Sequence, residues 1–463
     1  MTSILDRPKV VIVGAGFGGI TAARALAGKP LDVLILDRNN YHLFTPLLYQ
    51  VGSGLLDPSE IAQPVRSILR GPHNLRFRMA TVEQVDLPNR TLITDHGRIG
   101  YDYLILAAGS SNHYFGNQAL SERTHNLKDL DAALELRNAV LSRFEEAHWE
   151  RDVIRKRSLL TFAIIGGGPT GVEYAGALSE LISLVIRREC WDVDLSDVRI
   201  VLLEGSGRLL AAFNSDLATY ADKKLKLKGI EIWYDALVQD ASEGELITAD
   251  GRSLSTGTVI WTAGVKASGL GHGLGGEGRS GALKVEPTLQ LPGHPEVFVV
   301  GDIAAVEQDG AQLPMLAPVA MQEAKHAARN LSALAQRRNL RVFRYRDKVI
   351  LATIGRNAAV AEFGSVRLHG FVGWVTWLLV HLLLIVSLRS RLIVVVNWAW
   401  DYFFYDRPVR LILRARAEPI WLPKPGQSRH AGSGASAEAP QKQTMAERSL
   451  GPPGATTGSP RRP

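Results

Sequence analysis

A glycine triplet near the beginning of the chain has the spacing of a turn that binds phosphate groups. Gly14, Gly16 and Gly19 follow the apolar run VVIV and lead into the helix-like stretch GGITAARALAG. The first glycine permits a tight turn, the second lets the backbone approach a pyrophosphate, and the third lets the helix pack closely on the strand. Asp37 closes the next apolar strand, LDVLILD, where its carboxylate can accept a hydrogen bond from a ribose hydroxyl. The pattern predicts a dinucleotide site at the helix amino terminus, with a purely structural turn as the alternative.

A second triplet repeats this arrangement about 150 residues later. Gly166, Gly168 and Gly171 follow the strand-like LLTFAII, and Glu204 ends the next strand, VRIVLLE. Glu204 stands farther from its glycines than the usual ~20 residues, and an insertion at residues 187–197 must account for the difference. An acid that binds ribose repels a 2′-phosphate, so Glu204 favours NADH over NADPH; a solvated acid without a ligand is the alternative.

The elements that position these residues alternate in the order of a parallel sheet covered by helices. Each triplet lies between an apolar strand and a helix, and a second buried strand follows. Three further apolar strands, in YDYLILAAGS, GTVIWTAGV and PEVFVVGDIAAV, close on small residues. The sequence therefore predicts an α/β fold with two Rossmann-like dinucleotide-binding domains.

Length and composition exclude several classes of protein. The chain has 463 residues, 46% of them hydrophobic and 21% charged, which suits two or three folded domains. A single cysteine, Cys190, cannot form an intramolecular disulfide, and the opening MTSILDRP lacks the pattern of a secretory signal. We therefore expect the body of the protein in a reducing, cytoplasm-facing setting.

The net charge of +7 lies entirely behind an apolar stretch near the carboxyl end. From Arg389 onward there are 12 lysines and arginines against 5 acidic residues, and the rest of the chain is balanced. Basic residues beside apolar aromatics suit an anionic membrane surface. Nucleic acid is the competing partner, and the balanced body argues against it. The tail from about residue 423 is rich in Pro, Gly, Ser and Ala and is predicted to be disordered.

The apolar stretch favours docking on a membrane over crossing it. Residues 371–388 give 18 residues interrupted mainly by His381, at the lower edge of the ~17 to 25 of a spanning helix. A single span would hold the arginine-rich tail in the cytoplasm and move the body across, away from NADH. The nine residues 392–400 are too few to return. We predict two interfacial elements, with an apolar dimer interface as an alternative that can coexist with docking.

This prediction assigns particular side chains to the membrane surface. The aromatic residues expected at headgroup depth are Trp374, Trp377, Trp398, Trp400, Tyr402 and Tyr405. The arginines expected toward anionic lipid are Arg389, Arg391, Arg407, Arg410 and Arg414.

The two dinucleotide folds, with LAAGS between them and VGDIA after them, resemble the flavin-dependent pyridine-nucleotide oxidoreductases. In such proteins the first fold holds FAD and the second NAD(P)H. Disulfide reductases and sulfide:quinone reductases need a redox cysteine pair, which this chain lacks. The chain most closely resembles the single-subunit, non-proton-pumping type II NADH:quinone oxidoreductases, from residue 8 to about residue 420. The motifs that agree in order are NYHLFTPLLYQVGSG, GGGPTGVEYAGAL, WTAGV, LAPVAMQ, ATIGRNAAVAEFG and the aromatic C-terminal segment.

The resemblance implies roles for individual residues. It places residues 40–50 along the FAD and the quinone tunnel, Glu173 beside the nicotinamide pocket, and Gln322 near the flavin ring and the quinone, the last two as catalytic residues. Asp302 would bond the ribityl chain, and helix capping is the alternative for it. The expected cofactor-binding residues are Gly14, Gly16, Gly19, Asp37, Arg38, Thr45, Gly109, Gly166, Gly168, Gly171, Glu204, Gly264, Gly301, Asp302 and Ala317.

One motif departs from the family pattern. The family commonly reads Ala-Gln-x-Ala-x-Gln, whereas residues 317–322 read APVAMQ, which puts Pro318 in place of the first glutamine. A quinone clamp made of two glutamines is therefore in doubt. Pro318 suits the first turn of a helix, so we expect the helix to begin here as it does in the family. The amino terminus of that helix can stabilise negative charge on the reduced flavin.

The implied reaction is hydride transfer from NADH to FAD, followed by reduction of ubiquinone or menaquinone without proton pumping. Gln322 would orient the quinone or a flavin carbonyl, and Glu173 would anchor the nicotinamide side or relay protons; ordinary helix-face residues are the alternative for both. Two other functions stay open. One is an NADH-binding flavoprotein that docks or signals through its C-terminus, and the other is a related NAD(P)H-dependent flavin reductase with a different electron acceptor.

The expected organisation follows from this function. The FAD-binding domain would comprise residues 1–120 and 286–340, the NADH-binding domain 121–285, the membrane-associating or dimerisation region 341–422, and the disordered tail 423–463. We expect a homodimer bound peripherally to the cytoplasmic face of the cell membrane, with no metal ion and no nucleic acid.

Overall fold

The computed structural model describes residues 7–187, 194–242, 244–346, 349–404 and 411–413. The predictions for Cys190, Tyr405, Arg407, Arg410, Arg414 and the tail at residues 423–463 lie outside the described residues. Most of the insertion at residues 187–197 lies outside them too.

The chain opens with the predicted strand–helix–strand unit. Strand β1 (Lys9–Val13) pairs in parallel with β2 (Asp32–Asp37), and helix α1 (Phe17–Ala25) connects them. Both strands are buried along nearly their whole length, as a parallel sheet covered by helices requires. The elements that follow are β3 (Tyr41–Leu43), α2 (Leu48–Gly52), α3 (Pro58–Ile61), β4 (Ala62–Pro64), α4 (Val65–Ile68), β5 (Leu75–Met79), β6 (Val82–Asp86), β7 (Thr91–Thr94), β8 (Gly97–Gly100), β9 (Tyr103–Leu106) and β10 (Ser110–Asn112).

The second glycine triplet lies in a second unit of the same kind. Strand β12 is completely buried and runs directly into the second triplet, and the helix after it is followed by another parallel strand. The elements of this part are α5 (Gln118–Arg123), β11 (His125–Asn126), α6 (Leu130–Trp149), α7 (Val153–Leu159), β12 (Thr161–Ile165), α8 (Pro169–Leu181), β13 (Arg199–Leu203), α9 (Ser215–Leu227), β14 (Ile230–Trp233), β15 (Val238–Ser242), β16 (Glu245–Thr248), β17 (Ser253–Ser255), β18 (Thr258–Trp261) and β19 (Val265–Ala267).

The chain then returns to the first sheet and ends in a hairpin sheet and two helices. The remaining elements are β20 (Leu283–Lys284), β21 (Gln290–Leu291), β22 (His294–Val299), β23 (Ala304–Ala305), β24 (Glu307–Gln308), β25 (Ala311–Gln312), α10 (Ala317–Ala335), β26 (Ile350–Gly355), β27 (Ala358–Phe363), β28 (Val366–His369), α11 (Gly370–Leu384) and α12 (Leu388–Phe404).

Two mostly parallel sheets carry the two triplets, which confirms the predicted fold class. The first has the order β21-β22-β9-β1-β2-β5, so that strands from distant parts of the chain share it. The second has the order β11-β18-β12-β13-β14. The antiparallel pair β10–β19 links the two, since each of its strands directly follows a central strand of one sheet. Contacts join these parts into one compact unit that ends at Leu422, and the domain boundaries stay a prediction.

The C-terminal helices pack on the folded body of the molecule rather than standing apart from it. Trp377 of α11 and Val394 of α12 are fully buried in the same apolar core as Tyr174 of α8. Ile385, with extended backbone, ends α11, and α12 begins three residues later. Two separate elements therefore replace one long helix, as predicted. Among the described residues, no helix has the length and apolar character needed to cross a bilayer.

Candidate functional site

The first glycine triplet forms a turn whose three glycines do not all lack a side chain for the same structural reason. Gly14 has a φ of +102°, and a Cβ there would lie 2.2 Å from the carbonyl oxygen of Ala107. A Cβ on Gly19 would lie 1.8 Å from the carbonyl oxygen of Gly14. A Cβ on Gly16 would meet no protein atom within 4 Å. Protein packing therefore demands the outer two glycines, whereas only a ligand close to the backbone demands Gly16.

The second triplet repeats this geometry closely. Gly166 has a φ of +109° and approaches the backbone of Ala263, and a Cβ on Gly171 would lie 1.9 Å from the carbonyl oxygen of Gly166. A Cβ on Gly168, like one on Gly16, meets nothing within 4 Å. Gly16 and Gly168 are the N-caps of α1 and α8, and neither helix start has a side-chain cap. Both helices thus present uncapped N–H groups where an anion can bind, so the residues present fit two dinucleotides.

An acid stands behind each turn in the same way. Asp37 accepts a hydrogen bond from the backbone N–H of Ala15 (2.6 Å), and Glu204 accepts one from that of Gly167 (2.7 Å). The N–H donors occupy the same position in their triplets, between the first and second glycines. Each acid therefore lies against its phosphate turn, at the position from which it can also reach a ribose.

The remaining predicted glycines gather where the two sheets meet. Gly109 and Gly264 flank the linking pair β10–β19, and both have positive φ, +67° and +118°. Gly301, with a φ of +76°, begins the 3-10 turn that contains Asp302. Asp302 accepts a hydrogen bond from the hydroxyl of Ser110 on β10. The VGDIA motif thus lies at the junction of the two dinucleotide folds.

Glu323 is a buried acid beside this junction that the sequence did not single out. Its carboxyl accepts a hydrogen bond from the backbone N–H of Gly301 (2.6 Å). Burial raises the pKa of Glu323 to about 8, an effect that the Gly301 hydrogen bond opposes and the charge of Asp302 reinforces. Glu323 is therefore protonated at neutral pH and fixes the turn without adding charge.

Gln322, its neighbour, faces away from the junction. Its amide donates to the carbonyl oxygen of Arg346 (3.0 Å) and accepts from the N–H of the same residue (3.3 Å). Both ends of the amide are engaged by one stretch of backbone, and its proposed contact with the flavin or quinone stays a prediction. Pro318 lies in the first turn of α10, which begins at Ala317, so the helix start is kept as predicted.

Two other predicted cofactor residues are placed on the surface. Arg38 and Thr45 are both exposed, and Ala317 is half-buried at the start of α10. Their proposed roles in binding the cofactor stay predictions. Within the described residues, no group of acidic, histidine or cysteine side chains is arranged to hold a metal ion.

Glu173 is buried and connects three elements. Its Oε1 accepts hydrogen bonds from the backbone N–H of Thr353 on β26 and from the indole N–H of Trp377 on α11, both at 3.2 Å. Burial raises the pKa of Glu173 to about 8, and the two hydrogen bonds oppose the rise. The side chain is thus a protonated acid at neutral pH, one turn into the helix that follows the second glycine triplet.

A cluster of rings leads from the first glycine turn to the C-terminal helices. We call it the aromatic cluster, and its members are Phe17, Phe44, Tyr49, Trp377, His381 and Trp398. Trp377 stacks on His381 with ring centroids 4.2 Å apart, and Phe17 contacts Phe44 edge-on at 5.7 Å. Residues 40–50 therefore line a path of rings between the first glycine turn and α11.

His381 is the polar member of this cluster. Its Nδ1 lies 2.8 Å from the carbonyl oxygen of Trp377, so Nδ1 carries the proton and Nε2 is an acceptor. Burial lowers the pKa of His381 to about 4, and the hydrogen bond to Trp377 opposes this change. The imidazole is therefore neutral at physiological pH. In the sequence, this position stands out as a single histidine within an 18-residue apolar run.

Polar contacts fix α12 against the body. Trp398 donates its indole N–H to Gln50 (2.9 Å), and Asn397 donates to the buried Glu60 (2.5 Å). Burial raises the pKa of Glu60 to about 7. Arg356 forms a largely buried ion pair with Asp401 at 3.0 Å. These contacts lie within about one turn of α12 and on one side of it, which sets the orientation of the helix.

The structure corrects part of the predicted membrane surface. Trp377 is 1% exposed, so it does not lie at headgroup depth, whereas Trp398 is half-buried and gives its indole N–H to Gln50. Arg391 donates to the carbonyl oxygens of Leu383 and Ile385, both at 2.8 Å, and so caps the end of α11 instead of reaching toward lipid. Helical periodicity cannot distinguish the inner from the outer face when both faces are apolar.

The outward faces of both helices are apolar and exposed. These residues are Phe371, Val372, Leu379, Leu383, Leu388, Leu392, Val396, Trp400, Phe403 and Phe404, which we call the apolar face. Arg389, one of the predicted lipid-facing arginines, is exposed beside it. An exposed surface of this size and character is typical of an interaction site.

Comparison with known proteins identifies the family to which the chain belongs. Residues 8–324 match the pyridine nucleotide-disulphide oxidoreductase family. The type II NADH:quinone oxidoreductase Ndh of Mycobacterium tuberculosis is 36% identical over 85% of this chain and 87% of its own length. The chain belongs to the type II NADH:quinone oxidoreductases. Its family relatives include NdhA of the same organism, 35% identical over 88% of this chain and 89% of its own length. An Arabidopsis thaliana member, an internal alternative NAD(P)H-ubiquinone oxidoreductase, is 28% identical over 86% and 85%.

Solved structures share the fold. NDH2 from Plasmodium falciparum, in complex with NADH, superposes with a TM-score of 0.80 at 20% identity, over 88% of this chain and all of that one. The sulfide:quinone oxidoreductase from Aquifex aeolicus superposes with a TM-score of 0.66 at 16% identity, over 86% and 96%. Both superpositions therefore confirm the overall fold of this type II oxidoreductase.

Proposed function

We propose that this protein oxidises NADH and passes the electrons, through bound FAD, to a membrane quinone without pumping protons. The observation that carries the proposal is the pair of matching glycine turns, each with an uncapped helix start and an acid behind it, on two sheets joined by β10–β19. Two dinucleotides would be held there at the helix starts of two sheets that β10–β19 joins. The names of the M. tuberculosis relatives, at 36% and 35% identity, supply the substrates.

Each dinucleotide has its own set of residues in this proposal. Gly14, Gly16, Gly19 and Asp37 hold FAD at α1, and Asp302 bonds its ribityl chain from the other side of the junction. Gly166, Gly168, Gly171 and Glu204 hold NADH at α8. FAD, when bound, accepts the hydride and transfers electrons onward. The chain supplies placement and dipoles, among them the amino terminus of α10.

The quinone side of the reaction requires protons as well as electrons. Glu173 holds a proton at neutral pH, and its hydrogen-bond partner Trp377 stacks on His381, whose Nε2 is an acceptor. The aromatic cluster connects these groups to residues 40–50 near the first glycine turn. We infer that the quinone ring enters beside this cluster, where Glu173 can hold a proton for it and Nε2 of His381 can accept a hydrogen bond from a hydroxyl of the reduced ring.

The apolar face supports a membrane-docked protein. Most of its α12 residues lie on the side of the helix away from the polar contacts that fix α12, so the helices can bury that face in lipid without losing their attachment to the body. Arg389 and the basic tail favour an anionic surface, and NADH supply favours the cytoplasmic face. A homodimer that covers part of the same face is compatible with this proposal.

The experiment that tests the function is NADH oxidation by the FAD-loaded protein with a panel of ubiquinones and menaquinones, with and without anionic liposomes. We expect turnover with at least one quinone, faster in liposomes for long-tailed quinones, and slower turnover with NADPH. Ferricyanide is the control acceptor, because it needs no quinone site. Flavin that NADH reduces and no quinone reoxidises would contradict the proposal and favour an NADH-binding flavoprotein that docks or signals.

A further inference from the structure

Lys128 lies at the junction of the two sheets and has no assigned role. It follows β11, at the point where the chain enters the second sheet, and its backbone N–H donates to the side chain of Asn126 (3.1 Å). Its side chain turns back toward the first fold. The amine donates to the hydroxyl of Ser110 at 2.6 Å, and Ser110 lies on β10, the strand that leaves the first sheet.

The contact continues to Asp302. The hydroxyl of Ser110 donates to Oδ2 of Asp302, which stands in the 3-10 turn after β22. A lysine, a hydroxyl and a carboxylate therefore form one chain across the junction, with each group in its proper donor or acceptor role. Asp302 is fixed on this side by Ser110, and its turn is fixed on the other side by Glu323 through Gly301.

Partial burial of the Lys128 amine at the junction costs free energy unless nearby groups stabilise its charge. Burial lowers the pKa of the amine, and the carboxylates of Asp302 and Asp129 oppose that change. Glu323, the other acid beside Asp302, is protonated at neutral pH because burial raises its pKa to about 8. The half-buried cation is thus held by a short polar chain rather than by a direct ion pair.

FAD, whose ribityl chain Asp302 would hold, would gain negative charge when it takes up a hydride. A hydride carries two electrons and one proton, so its uptake from NADH would leave NAD⁺ and would add one negative charge to FAD until a further proton is taken up. A positive group already oriented in a partly dehydrated junction stabilises such a charge more strongly than water does. Lysine is suited to this because its charge is compact.

We propose that Lys128 is a positioning residue for the flavin: it orients Asp302 through Ser110 and places a positive charge where FAD becomes negative on reduction. The inference rests on the proposed function, because it takes Asp302 as a ligand of FAD. It extends that function by assigning part of the tuning of the flavin to a residue outside the glycine turns and the VGDIA motif.

The test uses the full chain with three variants and a matched control. Lys128→Met removes the charge, Lys128→Arg keeps it, and Ser110→Ala keeps the charge but breaks the chain to Asp302. Lys284→Met is the control, since Lys284 is an exposed lysine on a strand outside the junction. The measurements are the dissociation constant of FAD and the midpoint potential of the bound flavin.

We expect Lys128→Met to raise the FAD dissociation constant about tenfold or more, the usual scale for a lost charged hydrogen bond, and to make the flavin potential more negative. Ser110→Ala should weaken FAD binding and shift the potential less, while Lys128→Arg and Lys284→Met should resemble the wild type in potential. If Lys128→Met does not fold, Lys128→Gln, which also removes the charge but keeps a donor for Ser110, takes its place in the same comparisons.

An unchanged flavin potential in folded Lys128→Met, or a potential in Lys128→Arg as negative as that of Lys128→Met, would overturn the proposal and leave a structural tether. These measurements require no quinone. A wild type that binds FAD but reduces no quinone would therefore contradict the proposed function while the role of Lys128 is still decided by the potential.

Discussion

At the level of single residues, we propose that Glu204 determines which reduced nicotinamide nucleotide is used. Its carboxylate accepts from the N–H of Gly167 and from that of Ser206, both at 2.7 Å, so its position is fixed before any ligand binds. A fixed negative charge beside the ribose repels a 2′-phosphate, and a like-charge contact of this kind costs several kcal/mol.

We therefore expect Glu204→Gln to shift the ratio of kcat/KM for NADH over NADPH toward NADPH by about tenfold or more. Glutamine keeps the acceptor for Gly167 and removes the charge. Steady-state kinetics with both nucleotides provide the measurement, and Glu245→Gln, at an exposed position of the same half, is the control. An unchanged preference would show that Glu204 does not face the ribose.

Glu173 makes stability depend on pH in a defined direction. Its folded pKa of about 8 lies above the usual value of 4.5, so the folded state holds the proton more tightly than the unfolded state. The contribution of Glu173 to stability is complete below pH 4.5 and is lost as the pH rises through 8. The loss is on the order of a few kcal/mol, because an unpaired buried charge is costly.

Glu173→Gln should flatten this dependence. We expect the stability advantage of the wild type over the variant to shrink from pH 5 to pH 9, as measured by urea unfolding, and quinone reduction to slow more than NADH-dependent flavin reduction in stopped flow. Glu145→Gln, an exposed acid on α6, is the control. A difference between wild type and Glu173→Gln that is constant with pH would mean that the carboxyl is ionised in the folded protein.

At the level of elements, two nearby arginines on α12 have different structural environments. Arg391 caps α11 by donating to the carbonyl oxygens of Leu383 and Ile385, whereas Arg389 is exposed beside the apolar face. A cap of this kind satisfies carbonyls that the end of a helix leaves without partners. The same residue type two positions apart thus serves structure in one case and the surface in the other.

We therefore expect substitution of Arg391 to change stability and substitution of Arg389 to change vesicle binding. Arg391→Met should lower the free energy of unfolding by about 1 to 3 kcal/mol, the scale for hydrogen bonds to a charged group, with little change in vesicle affinity. Arg389→Met should weaken binding to anionic vesicles by about 1 kcal/mol, with little change in stability. Thermal melts and vesicle sedimentation measure the two quantities. The same result from both variants would contradict the assigned roles.

In the whole molecule, the C-terminal helices have one face in the folded core and another face exposed on the surface. Removing the chain after residue 369 would leave Glu173 without Trp377 and would take Trp377, Ile385 and Val394 out of the apolar core. Truncation therefore cannot separate membrane docking from folding. Substitutions confined to the apolar face can, since those side chains contribute little to the core.

We expect the triple variant Leu383→Gln, Leu392→Gln, Val396→Gln to keep FAD and ferricyanide reduction and to lose vesicle binding and most long-tailed quinone reduction. Each of the three is 61% to 67% exposed, and burying such a side chain in an apolar phase is worth about 1.5–3 kcal/mol. Leu227→Gln, Leu237→Gln, Val342→Gln is the matched control, at positions 61% to 70% exposed on the body. Full vesicle binding by the first variant would assign the apolar face to another partner, such as a second copy of the chain.

Features that are local along the chain are predictable from sequence patterns alone. The glycine turns and their acids follow from backbone sterics within a few residues, so Gly14, Gly16 and Gly19 and their later counterparts were predictable, as was the parallel order of the strands around them. The start of α10 at Pro318 and the division of the apolar stretch into two helices were predictable for the same reason.

The face of each element that packs against a given neighbour depends on the tertiary structure. Lys128 and Asp302 are 174 residues apart, and Glu173 and Trp377 are 204 residues apart, so no periodicity connects them. Burial, which fixes the protonation of Glu173, Glu323 and His381, depends on every element packed around a side chain and not on its neighbours in sequence. The inward Trp377 and the outward Trp400 look alike in the sequence, and the difference between them arises from packing against the body.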